Sequence, residues 1–311
     1  MARQEIGTMS LRRRLYRDRW ALVMLLPTFV LLFLFCYMPI YGILIAFQDY
    51  KIGNDILALD GSTKWVGLSQ FKQFINSIFF TRVFGNTLRL SVENLIFGFW
   101  VPIVFALLLN EITHVWYKRL TQTFVYLPYF VSTVIVVAMM ISITGAEGAV
   151  NRILAFFGQE SINMMNSAKS FDGLYVFSNI WQTFGYSSII YIAAISSIDP
   201  TLYEAATVDG ANRLHKMIHI TLPGIMPTVM ILLILSVGGI LAANTEKILL
   251  MYNSQTMDVA DVIGTYVYKT GLQNAKYSYS AAIGLFANII NFVLVFGTNM
   301  ISRRTTEYSL W

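Results

Sequence analysis

Six long apolar stretches, at roughly 20–48, 88–110, 122–144, 174–197, 224–243 and 281–301, constrain this chain more than any other feature of it. About 20 apolar residues wound as a helix cross the ~30 Å hydrocarbon layer of a bilayer. No water is present there to satisfy backbone polar groups, so a helix is the structure each segment can adopt by itself. The pattern predicts an all-α membrane protein with six transmembrane helices. Composition agrees: 56% of the 311 residues are apolar and 13% are charged, against about 25% charged in ordinary soluble domains. The first stretch follows a basic segment, as in a signal peptide. Its apolar run is too long and lacks a small-residue cleavage site, so it reads as a retained span.

Charge location orients the spans. Arg3, Arg12, Arg13, Arg14, Arg17 and Arg19 precede the first; Lys118 and Arg119, then Arg213 and Lys216, lie in short loops; Arg303 and Arg304 follow the last. The alternate loops carry fewer basic residues per residue of loop, balanced there by acidic ones. The denser basic set belongs inside the cell, which predicts that both termini are cytoplasmic in a multi-pass bacterial cell membrane protein. The net charge of +5 is thus explained by topology, and no nucleic acid is implied as a partner. The organisation is a basic tail at 1–19, suited to anionic lipid, one domain at 20–301, and a short tail at 302–311. The lone Cys36 excludes an internal disulfide and reads as a small hydrophobe inside the first span.

Between spans the chain is punctuated. Pro39-Ile-Tyr-Gly42 predicts a bend or exit of the first span. The first outer loop holds the turn formers Gly53-Asn54-Asp55 and Asp60-Gly61-Ser62, then Phe71, Phe74, Ile75 and Ile78 at helical spacing. Gly145 opens the second outer loop, with a helical fragment over 151–157. The third, 244–280, is rich in Tyr as interfacial belts are, and its 259–271 stretch predicts a short helix.

The cytoplasmic loop 198–223 is polar and cationic, yet patterned. Asp199-Pro200 is a helix start, since Asp accepts from free amides and Pro suits the first helical position; Thr201 to Glu204 fits a capping box. The helix is expected to end near Val208, with Gly210 as a left-handed cap. A second short helix, carrying Leu214, Met217, Ile218 and Leu222 on one face, is expected to stop at Pro223. Such a hairpin presents a knob: Glu204 offers a charge, and Ala205 and Ala206 permit close approach.

The run Glu204-Ala205-Ala206, three residues, Gly210, nine residues, Ile220, one residue, Leu222-Pro223 resembles the EAA loop of ATP-binding-cassette importer permeases of the type I fold. Nearly the whole chain is similar to the carbohydrate-uptake branch that handles complex oligosaccharides, through Arg14-Leu-Tyr-Arg-Asp-Arg-Trp20, Pro39-Ile-Tyr-Gly42, Trp65-Val-Gly-Leu-Ser-Gln-Phe71, Tyr126-Leu-Pro128, Ala260-Asp-Val-Ile-Gly-Thr-Tyr-Val-Tyr268 and Tyr277-Ser-Tyr-Ser280. The resemblance implies half of a transmembrane pair with a second permease. It also implies two ATPase subunits below and an extracytoplasmic sugar-binding lipoprotein that delivers the oligosaccharide. Glu204, Ala205, Ala206, Asp209, Gly210 and Arg213 are then the expected ATPase-coupling residues. The chain lacks a Walker-type Gly-Lys-Ser/Thr loop, so ATP and Mg are expected on the partners and no cofactor here. His215 and His219, four apart, lack a third ligand by sequence, and no metal site is expected.

A sugar path needs amides and hydroxyls, with aromatic rings for apolar sugar faces. The candidates are Glu93 and Asn94 in the second span, Asn179, Trp181, Gln182 and Tyr186 in the fourth, and Asn244 and Glu246 after the fifth. The bland alternative pairs Arg89 with Glu93 at an interface and assigns the fourth-span residues to helix packing. Two rival classes stand beside the importer. An ion-driven transporter needs carboxylates at mid-membrane, and an intramembrane enzyme needs a catalytic pair in the spans; the sequence displays neither, and no catalytic residue is assigned.

Overall fold

A computed structural model describes residues 16–53, 55–57, 63–305 and 309–310. The basic residues Arg3, Arg12, Arg13 and Arg14, the turn at Asp60-Gly61-Ser62 and Asn54 lie outside the described residues. Every regular element among the described residues is helical. Five stretches are long and apolar enough to cross a membrane: Arg19–Phe47, Phe80–Asn110, Thr133–Phe156, Arg213–Gly238 and Tyr277–Thr305.

The first stretch starts as α1 (Arg19–Leu32), which passes through Pro27 unbroken. It loosens to a π-type turn over Phe33–Tyr37 and tightens to a 3-10 helix over Met38–Phe47. The tightening begins next to Pro39, which has no amide for the α-helical ladder. After the short α2 (Ser69–Ile75), α3 (Phe80–Gly98) and α4 (Trp100–Asn110) form one nearly continuous rod. In α2, Phe74 is buried and Ile75 exposed, and Ile78 lies exposed beyond the helix end, so the apolar face is narrower than its spacing suggested.

The third predicted span, 122–144, is not one helix. It divides into α5 (Val115–Tyr126) and α6 (Thr133–Thr144), separated by a tight turn over Leu127–Phe130 and by Val131 and Ser132 in extended conformation. Pro128 starts the break by removing a donor from the ladder. A short α7 (Ala149–Phe156) follows, its loop pinned by Asn151, whose amide donates to Gly145 O (2.7 Å) and Ile162 O (2.8 Å).

The 29-residue α8 (Ala168–Ser196) covers the predicted fourth span, and it is too polar to join the five apolar stretches. The reason is its place. It packs against α3, α4, α5 and the later helix α11 (Leu222–Gly238), and it buries ten residues, among them Ser178, Asn179, Gln182 and Ser188. A helix enclosed by other helices need not present apolar residues all round, provided its polar groups find partners. Ser188 and Ser178 do, bonding to carbonyls of the preceding turn.

Three apolar clusters hold the bundle. At the end bearing loop 198–223, Phe99, Ile103 and Ala106 pack with Tyr191, Ile195, Ile225 and Val229. At the opposite end, Phe171, Tyr175 and Val176 meet Leu90, Val137, Ile248, Met251 and Val262. Beside it, Phe74 sits among the rings of Phe80, Tyr266, Tyr279 and Phe286, beneath the final helix α15 (Tyr277–Thr305).

Candidate functional site

The loop folds as a stapled hairpin. Asp199 caps α9 (Pro200–Val208) by accepting from the Thr201 amide at 2.9 Å, which holds its carboxyl below the ordinary carboxylate range. The cap comes from Asp199, not from the expected Thr201–Glu204 box; Glu204 is exposed on the free face. The helix ends at Asp209, and Gly210 takes φ +76°, the left-handed geometry glycine enters without a Cβ penalty. Asn212 then caps α10 (Arg213–Lys216) through the His215 amide. Lys216 Nζ donates to Thr207 Oγ1 at 2.7 Å, and the Tyr203 and Thr221 hydroxyls lie 3.0 Å apart. Those two contacts bind the arms of the hairpin together.

The second arm does not stop at Pro223. From α10 the chain winds through a π-type turn over Met217–Thr221 directly into α11, because Pro223 falls in the first turn of α11, where its amide is not needed. The hairpin's second arm is therefore one rod with the fourth apolar stretch, Arg213–Gly238. The other arm joins α8 at Ile198, against which Gly224 packs so closely that an added Cβ would meet the Ile198 side chain at 2.6 Å. Glu204, Ala205, Asp209, Gly210 and Arg213 are exposed, Ala206 is half-buried, and Val208, Leu202 and Leu214 stand out as bare apolar groups. His215 and His219 stack face to face at 4.0 Å, with His219 Nδ1 3.0 Å from the His215 carbonyl.

Between the two apolar clusters of α8 lies a cavity of about 590 Å³. Asn94, Asn179, Tyr186 and Asn244 line it, together with Ser91, Tyr175, Thr183, Ser187 and Ser236. Of the sequence candidates these four are brought together; Glu93, Trp181, Gln182 and Glu246 do not line the cavity. Gln182 instead turns to the break in the third span, its Nε2 donating to Val131 O at 3.0 Å. Glu246 is exposed in the first turn of α12 (Thr245–Met251). Tyr175, missed in the sequence, shapes the rim, its hydroxyl accepting from the Asn244 amide at 3.0 Å. It sits one turn before Asn179, and that i, i+4 spacing was the available signal.

Arg89 does not pair with Glu93. It reaches across to Asp172 of α8 at 3.2 Å and donates to Val259 O at 2.7 Å. Neighbouring polar groups tie α3 to the segment after α12: Asn86 donates to the carbonyls of Asp258 and Asp261, and Arg82 meets Asp258 at 2.7 Å; within that segment Lys269 meets Asp261 at 2.9 Å. The helix expected over 259–271 is interrupted at Asp261, where the chain turns from α13 (Met257–Ala260) to α14 (Ile263–Tyr268). Lys247, on α12, is fully enclosed with no hydrogen-bond partner for its ammonium among the described residues. Burial lowers its pKa to about 8.

The described residues thus form an α-helical body with an exposed hairpin at one end and a polar cavity between its helices. Residues 95–307 match the model of the family described as binding-protein-dependent transport system inner membrane component. The chain belongs to that family. It is a membrane transport component, not an enzyme. It is 39% identical to protein LplB of Bacillus subtilis (strain 168), covering 96% of this chain and 92% of that protein. It is 40% identical, over the same shares, to the polygalacturonan/rhamnogalacturonan transport system permease protein YteP of that organism. Among solved structures it is similar to a bacterial ABC transporter that imports the acidic polysaccharide alginate (39% identity, TM-score 0.85, 95% of this chain and 99% of that one). The alginate transporter in complex with an alginate pentasaccharide-bound periplasmic protein gives 38% identity and a TM-score of 0.86 over 96% and 99%. The ion-driven carrier and the intramembrane enzyme, open as alternatives on the residues alone, give way to this membership.

Proposed function

We propose that this chain is one of two permeases in an ATP-driven oligosaccharide importer and works by alternating access. Six spans, α8 among them, cross the membrane with both termini and the 199–221 hairpin in the cytoplasm. Two ATPase subunits carry ATP and Mg; when they close they carry Glu204, Ala205, Ala206, Asp209, Gly210 and Arg213 with them. The observation that carries this reading is the continuity of the hairpin. One arm runs without interruption into α11 and the other adjoins α8, so a push on the exposed lever reaches both walls of the cavity.

The cavity lining supports a sugar cargo. Asn94, Asn179 and Asn244 offer amides, Ser91, Thr183 and Ser236 hydroxyls, and Tyr186 a ring, a set suited to hydroxyl-rich faces with an apolar side. A second permease closes the path from the far side, and a sugar-binding lipoprotein delivers oligosaccharide from outside. The relatives' cargoes make oligosaccharides released from acidic polysaccharides the first to test.

The test is uptake by the full complex in liposomes, screened over labelled oligosaccharides, with Glu204→Lys in parallel. A charge-assisted contact contributes about 1.5–3 kcal/mol, so reversal is expected to weaken ATPase association about tenfold to a hundredfold and abolish uptake at equal membrane abundance. Normal uptake by Glu204→Lys removes the coupling role. No uptake of any oligosaccharide by the native complex removes the cargo class.

A further inference from the structure

The break in the third span is held from α8 by Gln182, which does not line the cavity, and by the ring of Tyr186, which does. Leu127–Phe130 form a tight turn, and Val131 (φ −80°, ψ 132°) and Ser132 (φ −62°, ψ 147°) are extended, so α5 and α6 share no hydrogen-bond ladder. Backbone outside a helix is tolerated at membrane depth only where protein or a wet cavity satisfies it. Val131 N donates to Pro128 O and Ser132 Oγ accepts from Ile135 N, while the Val131 carbonyl is served from another helix: buried Gln182 of α8 donates to it at 3.0 Å. One turn along α8, Tyr186 stacks on Tyr129 with ring centres 3.9 Å apart and planes within 5°. Between the two sits Gly185, pressed against the α5 backbone so closely that a Cβ there would collide with the Val125 carbonyl.

The two halves pack against different parts of the bundle. α6 is anchored at the end away from the hairpin, where Val137 packs in the cluster with Tyr175 and Ile248 and the helix lies against α12. α5 begins at the hairpin end, contributes no buried residue, and lies on α8 by its Val125 side. Sharp bends arise at proline and where a ladder is interrupted, and both conditions coincide at 128–132.

We propose that residues 127–132 are a hinge on which α5 swings against α8 during transport, and that Gln182 is its latch, a positioning residue. Latched, α5 lies along α8 and Tyr129 covers the ring of Tyr186, which lines the cavity. Unlatched, α5 leaves α8 at the hairpin end, that ring is bared to the cavity, and α6 stays with its cluster. One hydrogen bond and one ring pair are a hold that a transport cycle can make and release. The proposal rests on the importer reading, and the experiment separates the two.

The experiment uses the full complex in liposomes with Cys36→Ser as background. Spin-label pairs are placed at exposed Trp116 of α5 and Phe177 of α8, and at exposed Ile143 of α6 and Phe177. Distances are read without nucleotide and with the complex trapped by a non-hydrolysable ATP analogue. The hinge requires the 116–177 distance to change by several ångströms while the 143–177 distance holds. Both distances constant, or both shifted alike, overturns it. Gln182→Met keeps the length of the side chain but has no donor. It and Tyr129→Ala are expected to shift the population away from the short 116–177 distance by about threefold to tenfold, the weight of one hydrogen bond. An unchanged distribution in both variants removes the latch. Uptake on the same liposomes tests the importer reading by itself: import with immobile α5 sinks the hinge alone.

Discussion

Glycine and lysine at two positions make opposite demands on the fold. Gly210 sits at φ +76° where the hairpin turns, and a β-branched residue there bears the left-handed penalty of about 1–2 kcal/mol. Gly210→Val is expected to lower the melting temperature of the purified complex and to raise the ATP hydrolysed per sugar imported. Lys247 is a cost the native chain already bears. Its pKa falls from the ordinary 10.5 to about 8 because burial disfavours the charged form. Below pH 8 both folded and unfolded lysines are protonated, and the fold carries the whole penalty, about 3 kcal/mol by the shift. Between about 8 and 10.5 the folded lysine loses its proton first, so stability rises with pH through that window. Lys247→Met is therefore expected to raise the melting temperature at pH 7, with an advantage over the native protein that shrinks by pH 10. An equal melting temperature at pH 7 contradicts the burial penalty. The glycine was legible in the sequence, since cap residues act within a few positions of themselves. Nothing near Lys247 in the sequence marked it as enclosed, because enclosure is a property of the helices around it.

Elements are tied to each other by polar groups that sequence spacing misassigns. Arg89 and Glu93 stand four apart on α3, a spacing that suggests a pair, yet Arg89 reaches Asp172 on α8. Local spacing counts only neighbours on one helix, and a partner on another helix offers a second set that only packing brings near. Asp261 is the strongest case. Nearly enclosed, it accepts from Thr265 Oγ1 at 2.6 Å and Lys269 Nζ at 2.9 Å while Arg82 stands 3.8 Å away. Removing one partner of a buried ion pair costs about 3–5 kcal/mol, because the remaining charge is stranded. Asp261→Asn is expected to destabilise by that order, measured by thermal unfolding of the complex in detergent, and to loosen α14 from α3. Unchanged unfolding would reduce the network to a surface feature. Pro128 shows a further limit. Proline announces an interruption, but whether the span bends, breaks or ends depends on who satisfies the freed carbonyls, and Gln182 does so from another helix. Likewise Pro223 reads as a stop in isolation and proves to be the first turn of α11.

At the scale of the whole molecule, the hairpin, the polar rod α8 and the cavity are joined by continuous, packed helices. The first stretch, Arg19–Phe47, is almost wholly exposed, with Ala46 its one buried apolar residue. That leaves lipid and partner subunits to cover it. The complete assembly is accordingly expected to be the stable species. This chain, tagged, should co-purify with the ATPases, and Glu204→Lys should reduce that yield while leaving the amount in the membrane unchanged; equal recovery would move the coupling contact elsewhere. What the order of residues determined by itself was the helical class, the places of the first, second, fifth and sixth expected apolar rods, and the capped hairpin with its glycine turn. Hydropathy, proline, glycine and capping act through backbone chemistry and solvent within a turn or two, so they are written locally. What only the tertiary structure decided was which polar side chains face the cavity, which hold the break in the third span, and which cation is sealed without a partner. Those outcomes depend on the neighbours a side chain acquires, and they exist only once the helices are side by side.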